Sequence, residues 1–225
     1  MKQLDFTNYK FHCSGLKNLM VNPRLKSETL SETTKSYLSE LFIKEAFGRE
    51  KSDMVANKYV RKGIECETDS IELYEKVKGE KYFKNQETLA NDYFVGTPDI
   101  IADDKVIDLK TSWDLWTFFN VDQSQGEKDY YYQLLGYMDL TGKKKASLAY
   151  CLVNTPEGII ADDTYRLQFY MPEEKALEYR NNYIFDDIPE INRVKSYEFE
   201  YKEEEVEKLK ERVQLSREYL SSLSI

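Results

Sequence analysis

The segment from Val95 to Ser112, V-G-T-P-D-I-I-A-D-D-K-V-I-D-L-K-T-S, constrains the fold most strongly because it has the pattern of a β-hairpin. Apolar and β-branched residues on both sides of Asp103-Asp104 favour two strands. Aspartate is a frequent turn residue because it tolerates left-handed backbone and hydrogen-bonds its own turn. We therefore expect residue 102 to pair with residue 105.

This register places two carboxylates and an ammonium group together. Asp99 falls directly opposite Asp108, and Lys110 lies two residues further along the same face, since side chains repeat every second position in a strand. A divalent cation and a scissile phosphate need such a group of charges. An acid-x-Lys triplet is common in a chain this charged, so an exposed hairpin with solvated charges is the alternative.

The composition indicates one ordered domain. A chain of 225 residues with 41% hydrophobic residues can bury a substantial core. We expect a single domain over 1–225, with an N-terminal helical part over about 1–60, a catalytic core over about 61–155 and C-terminal strands and helix over about 156–225. The N-terminus lacks the apolar stretch of a signal peptide, and we expect no membrane span and a cytoplasmic location.

Cysteine and histidine usage limits the metal chemistry. Three scattered cysteines form neither a disulfide framework nor a zinc pattern, and they are too few to ligate an iron–sulfur cluster. With His12 as the single histidine, a multi-histidine site is excluded. Any metal should therefore be held by oxygen atoms, which suits Mg²⁺, or Mn²⁺ in its place.

The net charge of −9 weakens a nucleic-acid hypothesis without excluding it. Catalytic carboxylates themselves lower the net charge of a metal-dependent nuclease. Residues 1–26 hold five Lys/Arg against one Asp, a local charge of +4. We expect basic contacts to be concentrated on one face.

The remaining chain predicts an α/β fold around a central mixed β-sheet flanked by helices. Helices are predicted at 15–21 with Ser14 as cap, at 28–60 with a break within 47–53, and at 59–78, 129–140, 203–223 and onward from Pro172. Strands are predicted at 82–88, 147–154, 165–171 and 194–201, and residues 113–129 are predicted to be irregular.

Three further residues lie on helix faces of interest. Glu67, Ile71 and Tyr74 are spaced i, i+4, i+7, so the Glu67 carboxylate shares a face with apolar residues and is either an edge residue or a buried ligand. Gln133 and Tyr137 are spaced i, i+4 on the next helix. An ordinary amphipathic helix is the alternative for that pair.

An aromatic cluster follows the second strand of the hairpin. Its rings could form a lid or strand-separating wedge that stacks on bases. Packing in the core is the alternative, and we favour it slightly. The cluster consists of Trp113, Trp116, Phe118 and Phe119.

With these motifs, the chain resembles the PD-(D/E)xK nuclease superfamily, whose core is restriction-endonuclease-like, in its branch of phage recombination exonucleases of the lambda-exonuclease and YqaJ type, related to the RecB nuclease domain. Four motifs occur in the family order. They are G-I-E-C-E with Glu67, G-T-P-D-I with Asp99, I-D-L-K-T-S with Asp108 and Lys110, and Q-L-L-G-Y with Gln133 and Tyr137. The early F-H-C-S-G-L is similar to a segment near the DNA end, with Ser14 at the matching serine.

The resemblance implies roles for these residues. Asp99, Asp108, the carbonyl of Leu109 and Glu67 would bind one or two Mg²⁺, and Lys110 would position and help deprotonate the attacking water. Gln133 would hydrogen-bond that water or orient Lys110. Residues expected to contact DNA are Ser14, Lys17, Arg24, Arg61, Thr111, Ser112 and Tyr137.

The resemblance also implies a function. It is a metal-dependent exonuclease that degrades double-stranded DNA from its ends, with a single-strand-annealing protein as partner and a ring-shaped trimer as assembly. A structure- or site-specific endonuclease of the same fold is one alternative. A catalytically inactive DNA-binding or scaffold protein is the other.

Overall fold

The computed structural model describes residues 4–50 and 57–224. Its helices are α1 (Glu32–Phe47), α2 (Lys58–Glu65), α3 (Glu67–Lys78), α4 (Leu115–Asn120), α5 (Gln123–Thr141), α6 (Glu157–Leu167), α7 (Glu173–Tyr179) and α8 (Glu203–Ser222). Its strands are β1 (Phe11–His12), β2 (Leu89–Ala90), β3 (Phe94–Gly96), β4 (Ile100–Ile101), β5 (Val106–Thr111), β6 (Lys145–Cys151) and β7 (Val194–Glu200). Short 3-10 helices lie at Cys13–Asn18, Arg180–Tyr183 and Glu190–Arg193.

The larger sheet is mixed and has the order β4-β5-β6-β7. Strands β5 and β6 are parallel, and each outer strand is antiparallel to its neighbour. A smaller sheet has the order β1-β3-β2. The predicted α/β fold with a central mixed sheet flanked by helices is therefore confirmed.

The two faces of β5 serve different helices because successive side chains point to opposite sides. Ile107 and Leu109 pack with residues of α3 in one hydrophobic cluster. Val106 packs in a second cluster, which includes Leu134 and Met138 of α5. Asp108 and Lys110 are on the Val106 face, so the polar residues of the strand are turned toward α5.

Residues 165–171 are helical rather than a strand, so that prediction is wrong. They form the end of α6 and the turn after it. The helix buries Ile159, Ile160, Asp163 and Thr164, which share one face at helical spacing. Aromatic and β-branched residues near its end favoured strand, but packing of that upstream apolar face determines the structure.

Three other predicted segments also differ. Ser14 caps no helix, because residues 13–18 form a 3-10 helix that begins after His12 and has no side-chain cap. Residues 82–88 contain only an isolated bridge between Lys84 and Ile100. The segment 113–129 is largely helical, because Asp114 and Asp122 accept hydrogen bonds from backbone N–H groups and cap α4 and α5.

The N-terminal helices are shorter than predicted. Helix α1 ends at Phe47, and Gly48 follows it with a φ of 61°, a left-handed cap that favours glycine. The rest of the predicted break, residues 51–53, lies outside the described residues. The segment 59–78 is two helices with a break at Cys66, so Glu67 is the first residue of α3.

In the described ranges, no helix has both the length and the apolarity to cross a bilayer.

Glycine allows α5 to pack closely on the N-terminal 3-10 helix. A Cβ at Gly136 would lie 2.8 Å from both Cys13 Sγ and Leu16 Cδ1, and a Cβ at Gly96 would lie 2.7 Å from the Tyr137 ring. These separations are shorter than side-chain carbons tolerate. The glycines of the G-T-P-D and Q-L-L-G-Y motifs are thus packing requirements.

We predict that Gly136→Ala lowers the free energy of unfolding by about 1–3 kcal/mol, because the new methyl group overpacks this contact. Gly63→Ala is the matched control, since that glycine is also helical and no atom lies within 4 Å of its Cβ position. The control should be neutral or stabilising by up to about 1 kcal/mol through helix propensity. Urea unfolding measures both, and equal stability of the two variants would contradict the packing argument.

Candidate active site

The hairpin has the register that its turn predicts. Ile100 pairs with Ile107, and the Ala102 N–H donates to the Lys105 carbonyl at 2.9 Å. Continued by one residue, this register sets Asp99 opposite Asp108. Asp99 Oδ2 accepts a hydrogen bond from the Leu109 N–H at 2.7 Å, which fixes its carboxylate against β5.

Asp108 is the buried centre of the cluster, with 1% of its surface exposed. Lys110 Nζ lies 2.7 Å from Asp108 Oδ2, and Gln133 Nε2 donates to Asp108 Oδ1 at 3.1 Å. Gln133 Nε2 also lies 3.1 Å from the Tyr137 hydroxyl oxygen. The structure thus brings Asp99, Asp108, Lys110 and Gln133 together, and Gln133 is on Asp108 rather than on Lys110.

The surroundings of Asp99 make its ionisation unfavourable. Burial, and then the negative charge of Asp108, raise the pKa of Asp99 to about 7. Burial alone would lower the pKa of Lys110, but the adjacent Asp108 outweighs it and the pKa of Lys110 is raised. Lys110 is therefore an ammonium group at neutral pH, a donor of charge and hydrogen bonds.

Tyr130 of α5 completes the surroundings of this ammonium group. Lys110 Nζ lies over the Tyr130 ring, 4.6 Å from its centroid, within the range of a cation–π contact. Tyr130 was not predicted as a site residue from the sequence. The available signal was its position three residues before Gln133, which places both side chains on one helix face.

Glu67 lies at the edge of the same site. Its Oε2 is 2.6 Å from Nζ of Lys84, a residue that sequence reasoning missed. Lys84 is held there because it bridges to Ile100 and because the following Asn85 N–H donates to the Asp99 carbonyl at 2.8 Å. An isolated bridge leaves no periodic pattern, so the sequence carried no signal for this pair.

The donor set suits a hard divalent cation. When Asp99 and Asp108 are both ionised, the Lys110 ammonium group beside Asp108 neutralises only one of the two negative charges. Mg²⁺ is commonly bound by one or two carboxylates, with water and substrate phosphate as the other ligands. Asp99 and Asp108 fit this pattern. Over 4–50 and 57–224, no group of three or more His, Cys, Asp or Glu is arranged to hold a metal ion, so Glu67 as a ligand stays a prediction.

The site opens into a cleft with a cavity volume of about 830 Å³. Helix α3 contributes Glu67 and Ser70, and the end of β5 contributes Leu109, Lys110 and Thr111. Helices α2, α4 and α5 supply the other walls. Asp99 and Lys110 of the charged cluster therefore line a concavity large enough for a nucleotide segment.

The predicted DNA contacts nearest the cluster differ in accessibility. Thr111 and Ser112 line the cleft, and the Thr111 hydroxyl lies 2.8 Å from that of Ser70. Ser112 is buried, with its N–H bonded to the Cys151 carbonyl. Tyr137 is only 6% exposed and packs on Gly96, so its ring is part of the packed interior rather than of the accessible surface.

The predicted basic contacts are exposed, and two of them are already paired. Lys17 Nζ lies 3.7 Å from Asp129, a cleft residue, and Arg61 is bonded to both Glu65 and Asp162. Ser14 and Arg24 are exposed but do not line the cleft. Contacts of all these residues with DNA stay predictions.

The aromatic cluster after β5 divides into two kinds of residue. Trp113 packs edge-on against Tyr59 and Tyr183, and Phe118 is buried. Trp116 and Phe119, in contrast, are 63% and 75% exposed. Core packing therefore accounts for only half of the cluster.

Comparison with solved structures identifies close structural relatives. A phage-related exonuclease from Haemophilus somnus 129PT is 28% identical, with a TM-score of 0.81 over 95% of this chain and 94% of that chain. An alkaline exonuclease from Laribacter hongkongensis is 15% identical, with a TM-score of 0.65 over 96% of this chain and 90% of that chain. The same Laribacter enzyme in complex with dAMP gives a TM-score of 0.64 at 15% identity, over 95% of this chain and 88% of that chain.

These relatives confirm the resemblance that the four motifs predict. No protein-family model and no curated protein matches the chain. The Laribacter enzyme is too distant in sequence to show more than the shared fold.

We predict that Asp99→Asn stabilises the metal-free protein above pH 7. The pKa of Asp99 is raised in the folded state, so its ionisation destabilises the fold progressively between its ordinary value of 3.8 and about 7. Asparagine removes that charge and can still accept from the Leu109 N–H. The gain in free energy of unfolding should be on the order of 1–3 kcal/mol, allowing for solvent screening.

Denaturant unfolding in EDTA across this pH range is the measurement. The difference between Asp99→Asn and the unaltered protein should shrink as the pH falls from 7 and vanish well below the ordinary pKa of 3.8, where the aspartate is protonated in both states. A difference that is constant with pH would show that Asp99 is not under electrostatic strain.

Proposed function

We propose that this chain, which shares the fold of the phage-related and alkaline exonucleases, is a metal-dependent DNA exonuclease that hydrolyses phosphodiester bonds at the ends of double-stranded DNA. The observation that carries the proposal is the convergence of Asp99, Asp108 and Lys110, of which Asp99 and Lys110 line the cleft. The exonuclease relatives support the reaction class. Degradation of duplex ends in phage-type recombination is the biological role that this activity suits.

The side chains divide the chemical tasks of phosphodiester hydrolysis. Mg²⁺ held by Asp99 and Asp108 would supply charge neutralisation and a more acidic bound water. Lys110, as an ammonium group, would donate to a non-bridging phosphate oxygen or to the attacking water and stabilise the charge that develops on the phosphate. Proton abstraction by Lys110 would first require loss of its own proton, which its raised pKa opposes.

Two residues of α5 act as positioning residues for Asp108 and Lys110. Gln133 fixes the Asp108 carboxylate by its hydrogen bond, and the face of the Tyr130 ring contacts the Lys110 ammonium group. Both are on a long helix that is packed into the core, so the geometry is set before substrate arrives. The annealing partner, the trimeric ring and the choice of Mg²⁺ over Mn²⁺ remain predictions.

We predict that the protein degrades linear duplex DNA and leaves covalently closed circular duplex intact, in Mg²⁺ and not in EDTA. Lys110→Ala should reduce the rate by at least roughly 100-fold, since it removes the charge that stabilises the transition state. Lys105→Ala is the matched control, because Lys105 is on the same hairpin and pairs with the exposed Glu198. Gel electrophoresis of the digests over time measures the cleavage of both substrates, each in Mg²⁺ and in EDTA, by the unaltered protein and by the two variants.

Cutting of the closed circle would replace the exonuclease by an endonuclease of the same fold. Absence of cleavage on both substrates with Mg²⁺ and Mn²⁺ would leave an inactive DNA-binding or scaffold protein. Equal rates for Lys110→Ala and Lys105→Ala would show that the catalytic residues lie outside the hairpin.

We also predict that the Tyr130 ring, rather than its hydroxyl group, supports catalysis. Tyr130→Leu should lower kcat by roughly 3- to 30-fold with little change in KM, because the cation–π contact that orients Lys110 is lost. Tyr130→Phe keeps the ring face and should retain most of the activity. Steady-state cleavage of a linear duplex measures both, and a Phe variant as slow as the Leu variant would contradict the contact.

A further inference from the structure

Asp99, the proposed metal ligand on the first arm of the hairpin, lies outside the regular strands. Strand β3 ends at Gly96 and β4 begins at Ile100. Pro98, directly before Asp99, has no N–H group and cannot donate to a ladder. The ladder bonds that fix the backbone of β5 therefore do not fix the backbone of Asp99, and its position depends on contacts of another kind.

The segment that follows α3 runs antiparallel along the residues around Asp99. Lys84 bridges to Ile100, and Leu89 pairs with Gly96. Between these two pairs, four residues on one side face three on the other, so the pairing contains one extra residue, as in a β-bulge. Bulges beside active sites serve to re-aim a side chain. The irregular part of this pairing coincides with Asp99.

Asn85, inside the bulge, holds the peptide groups on both sides of the Asp99 Cα atom. Its backbone N–H donates to the Asp99 carbonyl at 2.8 Å, and its side-chain Nδ2 donates to the Pro98 carbonyl at 3.0 Å. The Pro98 carbonyl belongs to the planar peptide group before Asp99, and the Asp99 carbonyl belongs to the one after it. Since both planes are held, the direction in which the Asp99 side chain leaves the backbone is fixed.

The Asn85 side chain is itself held in place. Its Nδ2 also donates to the Glu87 carbonyl at 2.9 Å, and its Oδ1 accepts from the Glu87 N–H at 3.1 Å. Both N–H donors of this half-buried amide are therefore used. The preceding Lys84 contacts Glu67 on the α3 wall of the cleft at 2.6 Å. Asn85 is thus tied to α3 as well as to the arm that carries Asp99.

We propose that Asn85 is a positioning residue for Asp99, whose side-chain amide holds the Asp99 carboxylate in the geometry that binds the divalent cation. Removing a contact that orients a metal ligand from behind typically lowers metal affinity by roughly 10- to 100-fold. The inference rests on the proposed metal-dependent nuclease function and adds to it a residue outside the four motifs. A role limited to closing the bulge is the alternative.

Asn91 provides a matched control for that alternative. The side chains of Asn85 and Asn91 each make three hydrogen bonds, and both residues are half-buried. Asn91 accepts from two backbone N–H groups of the following turn and donates to Asp139. It has no contact with Asp99. Alanine at either position therefore removes a similar set of structural bonds, and only Asn85→Ala releases Asp99.

Mn²⁺ binding, measured by electron paramagnetic resonance, tests the proposal without DNA. Asn85→Ala should bind Mn²⁺ roughly 10- to 100-fold more weakly than the unaltered protein. Asn91→Ala should bind it with unaltered affinity. Circular dichroism and urea unfolding check that both variants are folded under the conditions of the titration.

Asn85→Asp is the second variant, because it keeps the acceptor for the Glu87 N–H and loses both donations of the amide. The added negative charge by itself would tighten the binding of a cation. Weaker Mn²⁺ binding by this variant would therefore be due to the position of Asp99 and not to charge. Tighter binding would contradict the proposal.

Steady-state cleavage of linear duplex DNA by the same variants separates this proposal from the proposed function. Asn85→Ala should be slow at low Mn²⁺, and high Mn²⁺ should restore most of the rate with an unchanged KM for DNA. Unaltered Mn²⁺ affinity in Asn85→Ala, or an equal loss in Asn91→Ala, would overturn the positioning role even in an active nuclease. Weaker binding by both Asn85 variants of a protein that cleaves no DNA would support positioning and refute the nuclease. Absence of Mn²⁺ binding by the unaltered protein would refute both.

Discussion

The opposition of Asp99 and Asp108 across a two-strand hairpin is the interaction on which the rest of the structure depends. Burial, and then the negative charge of Asp108, raise the pKa of Asp99 and so the energy of ionising it. The Lys110 ammonium group, which is bonded to Asp108, offsets part of it. The remaining excess of negative charge is what a divalent cation would neutralise. The fold is therefore less stable at this site, at neutral pH and without metal, than it would be with a neutral residue at position 99.

The surrounding elements hold this charged group in one geometry. Helix α5 supplies Gln133 to Asp108 and the Tyr130 ring to Lys110 from positions three residues apart. The helix itself is seated by Gly136 against Cys13 and by Tyr137 against Gly96. Packing of α5 on the N-terminal segment and β3 thus determines how Gln133 and Tyr130 meet Asp108 and Lys110. Helix α4, capped by Asp114 and tied to Lys195, adds one wall of the cleft.

The sequence predicted the centre of the site better than its edge. Asp103-Asp104 determined the turn, and the alternation of β5 then fixed which residues face each other, because both rules are local. Lys84 could not be predicted, since it reaches Glu67 through one isolated bridge. Residues 165–171 were predicted wrongly as a strand because their composition favours one, whereas Ile159 and Ile160, further upstream, bury the helix against the core. Which of the aromatic residues after β5 are exposed could not be predicted from the sequence, because spacing alone does not separate buried Phe118 from exposed Phe119.

The most direct test of the central claim is the anomalous-difference map of crystals grown with Mn²⁺. The account predicts a peak with carboxylate oxygens of Asp99 and Asp108 as ligands, at about 2.1 Å, the distance typical of such octahedral oxygen sites. The Lys110 ammonium group should remain beside Asp108. A peak held by other residues, with Asp99 and Asp108 free of metal, would contradict the account and place the metal chemistry of this protein elsewhere.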